Sequence, residues 1–337
     1  MTVKPLRIGT RDSILATWQA RYVAEVLEKA GYRVELHFVK TEGDRVLDTP
    51  LPLMGGKGVF TKALDDALLA DEIDLAVHSL KDIPTRLPEG LEVGAVSRRD
   101  DTADVLVTRR SAGITDPATE EEKRETAKNR NILSKEEYAF LTGSQSEAVI
   151  ASSSNRRIGQ WLARYPRHQM TDIRGNIQTR LRKLEESSWD GAIFAAAGLK
   201  RLNLNHHIAT VLDWMLPAPA QGAMGVMIKK DAAREVKESI RRVHDSDTAL
   251  CTKIERDVLH TLEGGCSAPV GALAGIMGKK VRLQVNTVYP DGTGMIQFEM
   301  SETRDKAGDL GRRAADEALK RGADELIRDL IKRGHRP

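Results

Sequence analysis

The chain has 337 residues, 40% hydrophobic and 30% charged, which is long enough for two or three domains and too rich in apolar side chains for a disordered protein. Its 52 basic and 49 acidic residues leave a formal charge of only +3, so a nucleic acid or an anionic membrane is not expected as a partner; both call for a basic patch or stripe. The two cysteines, Cys251 and Cys266, form no CxxC, and no histidine pair has zinc spacing. These features argue against a disulfide framework or a structural metal and suit a reducing compartment.

Leu6 to Thr10 reads as a short strand, reached without the apolar stretch of a signal peptide. Arg11-Asp12-Ser13 then leads into a helix from about Ile14 to Ala30, with Leu15, Trp18, Tyr22 and Val26 on its apolar face and Gly31 at its end. Arg33 to Lys40 returns as a strand. The turn Gly55-Gly56-Lys57-Gly58 opens a helix over Val59 to Ala70, and Ile73 to Val77 is a buried-type strand ending in His78-Ser79. This alternation predicts an α/β protein with a mainly parallel sheet and helices on both faces.

Residues 109–147 are polar, with little periodicity, and read as a long surface insertion: a passive excursion first, a lid or an interaction element second. A second α/β run begins at Ala148 with a strand, Ser152-Ser153-Ser154 and a helix through Trp161. It continues with a strand over Thr171 to Ile173, then Arg174-Gly175-Asn176, a helix to about Glu186 and a strand over Gly191 to Ala196. From about Ser246 the pattern gives a helix (Thr248 to Leu262), the turn Glu263-Gly264-Gly265-Cys266, strands near 268–275, 281–288 and 294–301, and one last helix from Lys306 to Arg333. No apolar run approaches the roughly 18 residues of a membrane span, and a cytoplasmic protein without a membrane partner is expected.

Ligands of open α/β sheets sit beyond the C-terminal ends of strands, where helix N-termini favour anions. Arg and Ser recur at such places here: Arg11 and Ser13; Ser152, Ser153, Ser154, Arg156 and Arg157; Arg174 and Arg180; Lys200 and Arg201. One such arginine is ordinarily a solvated side chain. Four clusters together point to a guanidinium-lined cleft for a ligand with several carboxylates or phosphates. Asp82, in the loop before Pro84, is either a catalytic carboxylate that stabilises a cation or moves a proton, or the cap of a Pro-terminated turn. Cys266, flanked by Gly265 and Ser267, is either an accessible attachment thiol or a small buried hydrophobe. Cys251 lies in an apolar helical stretch and suits the second role. His206 and His207 are adjacent and cannot share a helix face, so no metal site is expected.

Eight blocks occur in the order seen in the hydroxymethylbilane synthases: RIGTRDSILATWQA, GGKGVFTKAL, DLAVHSLKDIPT, SSNRRIGQWL, IRGNIQTRLRKL, AAGLKRL, LPAPAQGAMG and LEGGCSAPVGA. The chain resembles that family over about 1–107 and 148–275. The resemblance implies three α/β domains, the first two like a type II periplasmic binding protein: 1–104 with 220–243, then 105–219, then a small C-terminal domain over 244–337. It implies a monomer that joins four porphobilinogen molecules head to tail with loss of ammonia, water finally freeing the linear tetrapyrrole. It also implies a dipyrromethane cofactor held as a thioether on Cys266. Residue by residue, Asp82 becomes the catalytic carboxylate. Arg11, Arg156, Arg157, Arg174, Arg180 and Arg201 become holders of acetate and propionate groups. Ser13, Lys57, Ser79, Lys81, Ser152 and Ser153 add contacts to cofactor and substrate.

The chain departs from the family pattern at Asn155, where Leu is usual, at Asp12, where an uncharged residue is common, and in the length of the 109–147 insertion. The alternative reading is a two-lobed small-anion-binding protein lacking the chemistry, which would need neither Asp82 nor Cys266. An enzyme of phosphorylated substrates would show GxxxxGK[ST], which GGKG at 55–58 does not supply.

Overall fold

The computed structural model describes residues 4–39, 61–109, 141, 143, 146–262 and 268–332. Lys57, Cys266 and nearly all of the 109–147 insertion therefore lie outside the described residues.

In the first sheet the strand order is β2 (Val34–Phe38), β1 (Leu6–Thr10), β3 (Leu75–Ser79), β10 (Met224–Lys229) and β4 (Leu91–Val96). β1 pairs parallel with β2 and β3, whereas β10 runs antiparallel to both β3 and β4. The second sheet repeats the plan: β7 (Gln169–Thr171), β6 (Val149–Ala151), β8 (Gly191–Ala195), β5 (Asp104–Thr108), β9 (Thr210–Val211). Here β6 pairs parallel with β7 and β8, and β5 is the antiparallel insert. The expectation of a mainly parallel sheet therefore holds, since in each sheet every strand but the inserted one runs the same way. Local strand–helix alternation produces the parallel pairs, but the inserted strand arrives from the other sheet, and its direction follows from where the chain left that sheet. The two crossings run through 97–103 and 212–223.

Helices cover both faces of these sheets: α1 (Ile14–Lys29), α2 (Lys62–Leu69), α3 (Asn155–Arg164), α4 (Ile177–Glu186), α5 (Ala196–Arg201) and α6 (Arg234–Ile240). Ser13 Oγ caps α1 by accepting the Ala16 N–H, and Asn176 caps α4 by accepting the Thr179 N–H. Leu27, Val77 and Ile228 fill one face of the first sheet, and Leu64, Leu68 and Leu80 fill the other. In the second sheet Phe194 and Leu184 pack on one side, Ile150, Ile193 and Trp161 on the other. Burial of each such side chain stabilises by about 1.5–3 kcal/mol, and these layers hold the strand ends that carry the polar residues.

The third sheet is antiparallel: β11 (Val270–Met277), β12 (Lys280–Val288), β13 (Met295–Thr303). Its apolar layer, including Leu283, Val285 and Ala272, packs with residues of α7 (Ser246–Thr261), α8 (Leu310–Lys320) and α9 (Ala323–Lys332). The single last helix expected over 306–333 is broken: Arg304–Asp309 forms a 3-10 turn, and Gly322, at φ +99°, separates α8 from α9. Two strand limits also shift, since His78 and Ser79 belong to β3 and the strand expected at 171–173 spans Gln169–Thr171.

Candidate active site

β3 ends in Ser79 and passes directly into a 3-10 turn, Leu80–Asp82, that the extended Ile83 and Pro84 bring to a close. Leu80 and Ile83 are anchored in the core, which leaves Asp82 exposed at the strand end. Lys81 points the other way: its Nζ donates to Gln221 Oε1 at 3.1 Å. Burial pushes the Lys81 amine down to about 8, with Asp82 opposing that shift and Arg157 adding to it. On the second sheet, Arg180 of α4 donates from Nε to Gly175 O at 2.8 Å. Burial lowers its guanidinium to about 10; Arg157 and Arg174 push the same way and Asp82 pushes back. Asp82 of one sheet and Arg180 of the other therefore lie within each other's field, together with Lys81, Arg157 and Arg174.

Behind this group lies a carboxylate that the sequence reading did not single out. Asp104, the first residue of β5, has no exposed surface. Its Oδ2 accepts from Arg156 Nη1 at 2.6 Å, and its Oδ1 accepts from Arg157 Nη2 and Nε at 2.7 and 3.1 Å and from Gln221 Nε2 at 3.0 Å. Burial alone would raise this carboxyl, but the two guanidinium groups outweigh it and hold Asp104 well below the usual carboxylate range. Arg156 also donates to Leu216 O and Arg157 to Ile193 O. The two arginines read from sequence as ligand holders thus have partners inside the chain. Arg201 likewise donates to Gly222 O at 2.7 Å, pairs with Asp100 at 3.4 Å and lies over the Trp18 ring, while Lys200 pairs with Asp101.

The serines are also placed. Ser13 caps α1, Ser79 Oγ accepts from Gln19 Nε2 at 2.8 Å, and Ser152 Oγ accepts the Ser154 N–H at 3.3 Å. Ser153 Oγ donates to Ile173 O and accepts the Ile173 N–H, which joins the ends of the two neighbouring strand loops. Arg11 and Arg174 are half-buried, and the Arg11 charge reaches buried His78, whose imidazole is pushed down to about 4 first by burial and then by Arg11. Cys251 is buried in α7, and burial followed by the nearby Glu255 pushes its thiol up to about 11.

A family model described as porphobilinogen deaminase, dipyromethane cofactor binding domain, matches residues 6–237, and its C-terminal domain model matches 249–320. The chain belongs to the porphobilinogen deaminase family. A porphobilinogen deaminase of Syntrophobacter fumaroxidans is 38% identical over 98% of this chain and 100% of that protein. One of Pelotomaculum thermopropionicum is 38% identical over 96% of each. Among solved structures, an ABC-transporter periplasmic substrate-binding protein of Coxiella burnetii covers 72% of this chain and 94% of that one, at TM-score 0.40 and 13% identity. That likeness bears on neither chemistry nor ligand. Family membership makes the enzyme a transferase of tetrapyrrole and heme biosynthesis that acts on porphobilinogen with a dipyrromethane cofactor, and it sets aside the binding protein without chemistry. No described helix is long and apolar enough to cross a membrane.

The described residues fit such a cofactor. Lys81 lies in the field of Arg156, Arg157, Asp82 and Asp104, and Arg180 in that of Arg157, Arg174 and Asp82. Lys81, Arg174 and Arg180 are only partly buried, so cations stand where a ligand that brings carboxylates of its own could meet them. Sequence reasoning missed Asp104 and Gln221. Gln221 lies inside the quoted block LPAPAQGAMG, so a signal was available. Asp104 begins an apolar strand and shows none.

Proposed function

We propose that Asp82 is the catalytic carboxylate, that Cys266 carries the cofactor, and that Arg11, Arg174, Arg180 and Lys81 hold the acetate and propionate groups of cofactor and substrate. Arg156 and Arg157, anchored on Asp104, act mainly through their field, and Arg201 fixes α5 against the second crossing. Ser13, Ser79, Ser152 and Ser153 shape the loops in which these cations sit, with Lys57 as a further contact. When bound, the dipyrromethane supplies the primer on which the chain grows. The reaction joins four porphobilinogen units head to tail, releases ammonia at each addition, and ends with hydrolytic release of the linear tetrapyrrole.

The observation that carries this reading is the exposed Asp82 carboxylate, set within a group of cations drawn from both sheets. The cations neutralise the ligand's carboxylates. Asp82 is then the anion left to stabilise positive charge on a pyrrole as its amino group departs, which is electrostatic stabilisation aimed at the developing charge. The domain limits 1–104 with 220–243, 105–219 and 244–337 are supported by the sheets, each of which falls almost wholly within one of them. We place the enzyme in the cytoplasm as a monomer, and its even charge balance argues against a nucleic-acid partner.

Intact mass of the denatured protein tests the attachment: an excess of one two-pyrrole unit is expected, lost in Cys266→Ala. Asp82→Asn, supplied with preformed cofactor, should keep that excess while turnover falls on the order of 10²–10⁴-fold. Near-normal turnover in that variant removes Asp82 from its role.

A further inference from the structure

Consecutive residues of α7 face different parts of the molecule. Glu255 has no exposed surface. It accepts from Arg99 Nη1 and Nη2 at 2.6 and 2.9 Å, from the Ala220 N–H at 2.7 Å and from the Ala274 N–H at 2.7 Å. One carboxylate therefore fixes α7 to both crossings and to β11. Arg256 reaches the first sheet instead. Its Nη1 donates to Leu80 O at 3.1 Å and to Ile83 O at 2.7 Å, and its Nη2 donates to Pro84 O at 2.8 Å. Those three carbonyls bracket Asp82 on either side.

We propose that Arg256 is a positioning residue for elongation: by gripping the 80–84 turn through three carbonyls, it sets where the Asp82 carboxylate stands. The inference rests on Asp82 being the catalytic carboxylate. The turn does not need Arg256 in order to form. Leu80 and Ile83 are buried, the Leu80 N–H donates to Ala223 O at 2.9 Å, and the Ile83 N–H donates to Leu80 O at 3.3 Å. What the guanidinium adds is orientation. A planar fork can hold diverging carbonyls at fixed angles, which the single ammonium of a lysine cannot. The same helix leads in sequence to Cys266, so one rigid element governs the carboxylate and precedes the attachment point.

The test is a double-mutant cycle on the cofactor-loaded protein, with Arg256→Lys and Arg256→Gln each made alone and in the Asp82→Asn background. Cofactor mass, thermal midpoint, KM and single-turnover rates are read for every variant. In the single variants the cofactor mass and midpoint should stay near the parent values and KM should change less than about 3-fold. Turnover should fall on the order of 10–100-fold, the effect of a carboxylate displaced by about 1 Å. In the Asp82→Asn background neither substitution should reduce the rate further, because the group being positioned is already disabled.

Turnover within about 2-fold of the parent overturns the proposal. So do losses that multiply in the Asp82→Asn background, and so does a rise in KM at constant turnover. Parallel loss of midpoint, cofactor and rate in both Arg256 variants would make the residue structural only. If Asp82→Asn alone turns over normally, the failure belongs to the Asp82 reading, and the cycle shows it before Arg256 is changed.

Discussion

Arg156 and Arg157 are 3% and 7% exposed and share one fully buried carboxylate, Asp104. Removing that carboxylate leaves two guanidinium groups facing each other in the interior. Asp104→Asn should therefore lower unfolding free energy by about 3–5 kcal/mol, measured as a drop in urea midpoint at unchanged slope. The pH dependence follows from the direction of each shift. The Asp104 carboxyl is depressed in the folded state, so its contribution is complete above the unfolded carboxylate range near 4 and is lost as pH falls below it. His78 is held neutral down to about 4, whereas the unfolded imidazole takes a proton near 6.5, so stability should already decline between pH 6.5 and 4. His78→Gln should flatten that window, and an unchanged slope there would place the acid sensitivity elsewhere. These pairings were hard to read from sequence because the arginine partners of Asp104 lie 52 and 53 positions away, and an aspartate at the head of an apolar strand resembles an ordinary strand end.

A helix that packs on another domain can favour the worse helix former. Gly159 lies within α3, where alanine would be better by about 1 kcal/mol on propensity alone. A Cβ at that position, however, would stand 2.6 Å from Tyr289 O and 2.7 Å from Val288, at the end of β12. Because the obstacle includes backbone, it cannot rotate away. Gly159→Ala should therefore destabilise by about 1–3 kcal/mol, while Gly275→Ala, with nothing within 4 Å of the new atom, should be neutral or slightly stabilising. Equal midpoints for the two variants in thermal denaturation would mean that the α3–β12 contact is loose. The same distinction between local and distant constraints explains the elements that sequence reading missed. β1, α1, α4 and β8 carry their own periodicity and caps. By contrast, β10 and β5 draw their place and direction from strands on either side.

In the whole molecule, three sheets are joined through the crossings, and Glu255 is their common anchor. Ala220, one of its donors, holds φ +64°, a left-handed conformation that costs a residue with a Cβ roughly 1 kcal/mol. Two residues on, Gly222, at φ +92°, passes 2.7 Å from Asp100 O as measured from where a Cβ would be, so the second crossing fits against the first only with glycine there. Glu255→Ala would leave the half-buried Arg99 without its carboxylate and two backbone N–H groups without an acceptor. A loss of about 3–5 kcal/mol is expected. Calorimetry should then resolve the third sheet and its helices as a separate transition, whereas a single transition would show that apolar contacts alone hold them.

The sequence by itself determined the α/β class, the strand-end clusters, the loop that carries Asp82 and, through eight ordered blocks, the family and its cofactor. Those features are local in origin: periodicity, caps and turn residues act over a few positions, and a motif is a stretch of adjacent letters. Tertiary structure alone decided the mixed strand directions, the buried Asp104 that engages Arg156 and Arg157, and the placing of Arg180 within the field of Asp82. It also decided that Glu255 and Arg256, which the sequence does not single out, face the two crossings and the Asp82 turn. Charge pairing in a low-dielectric interior depends on distance in space, and neither the spacing of residues along the chain nor their type contains that distance.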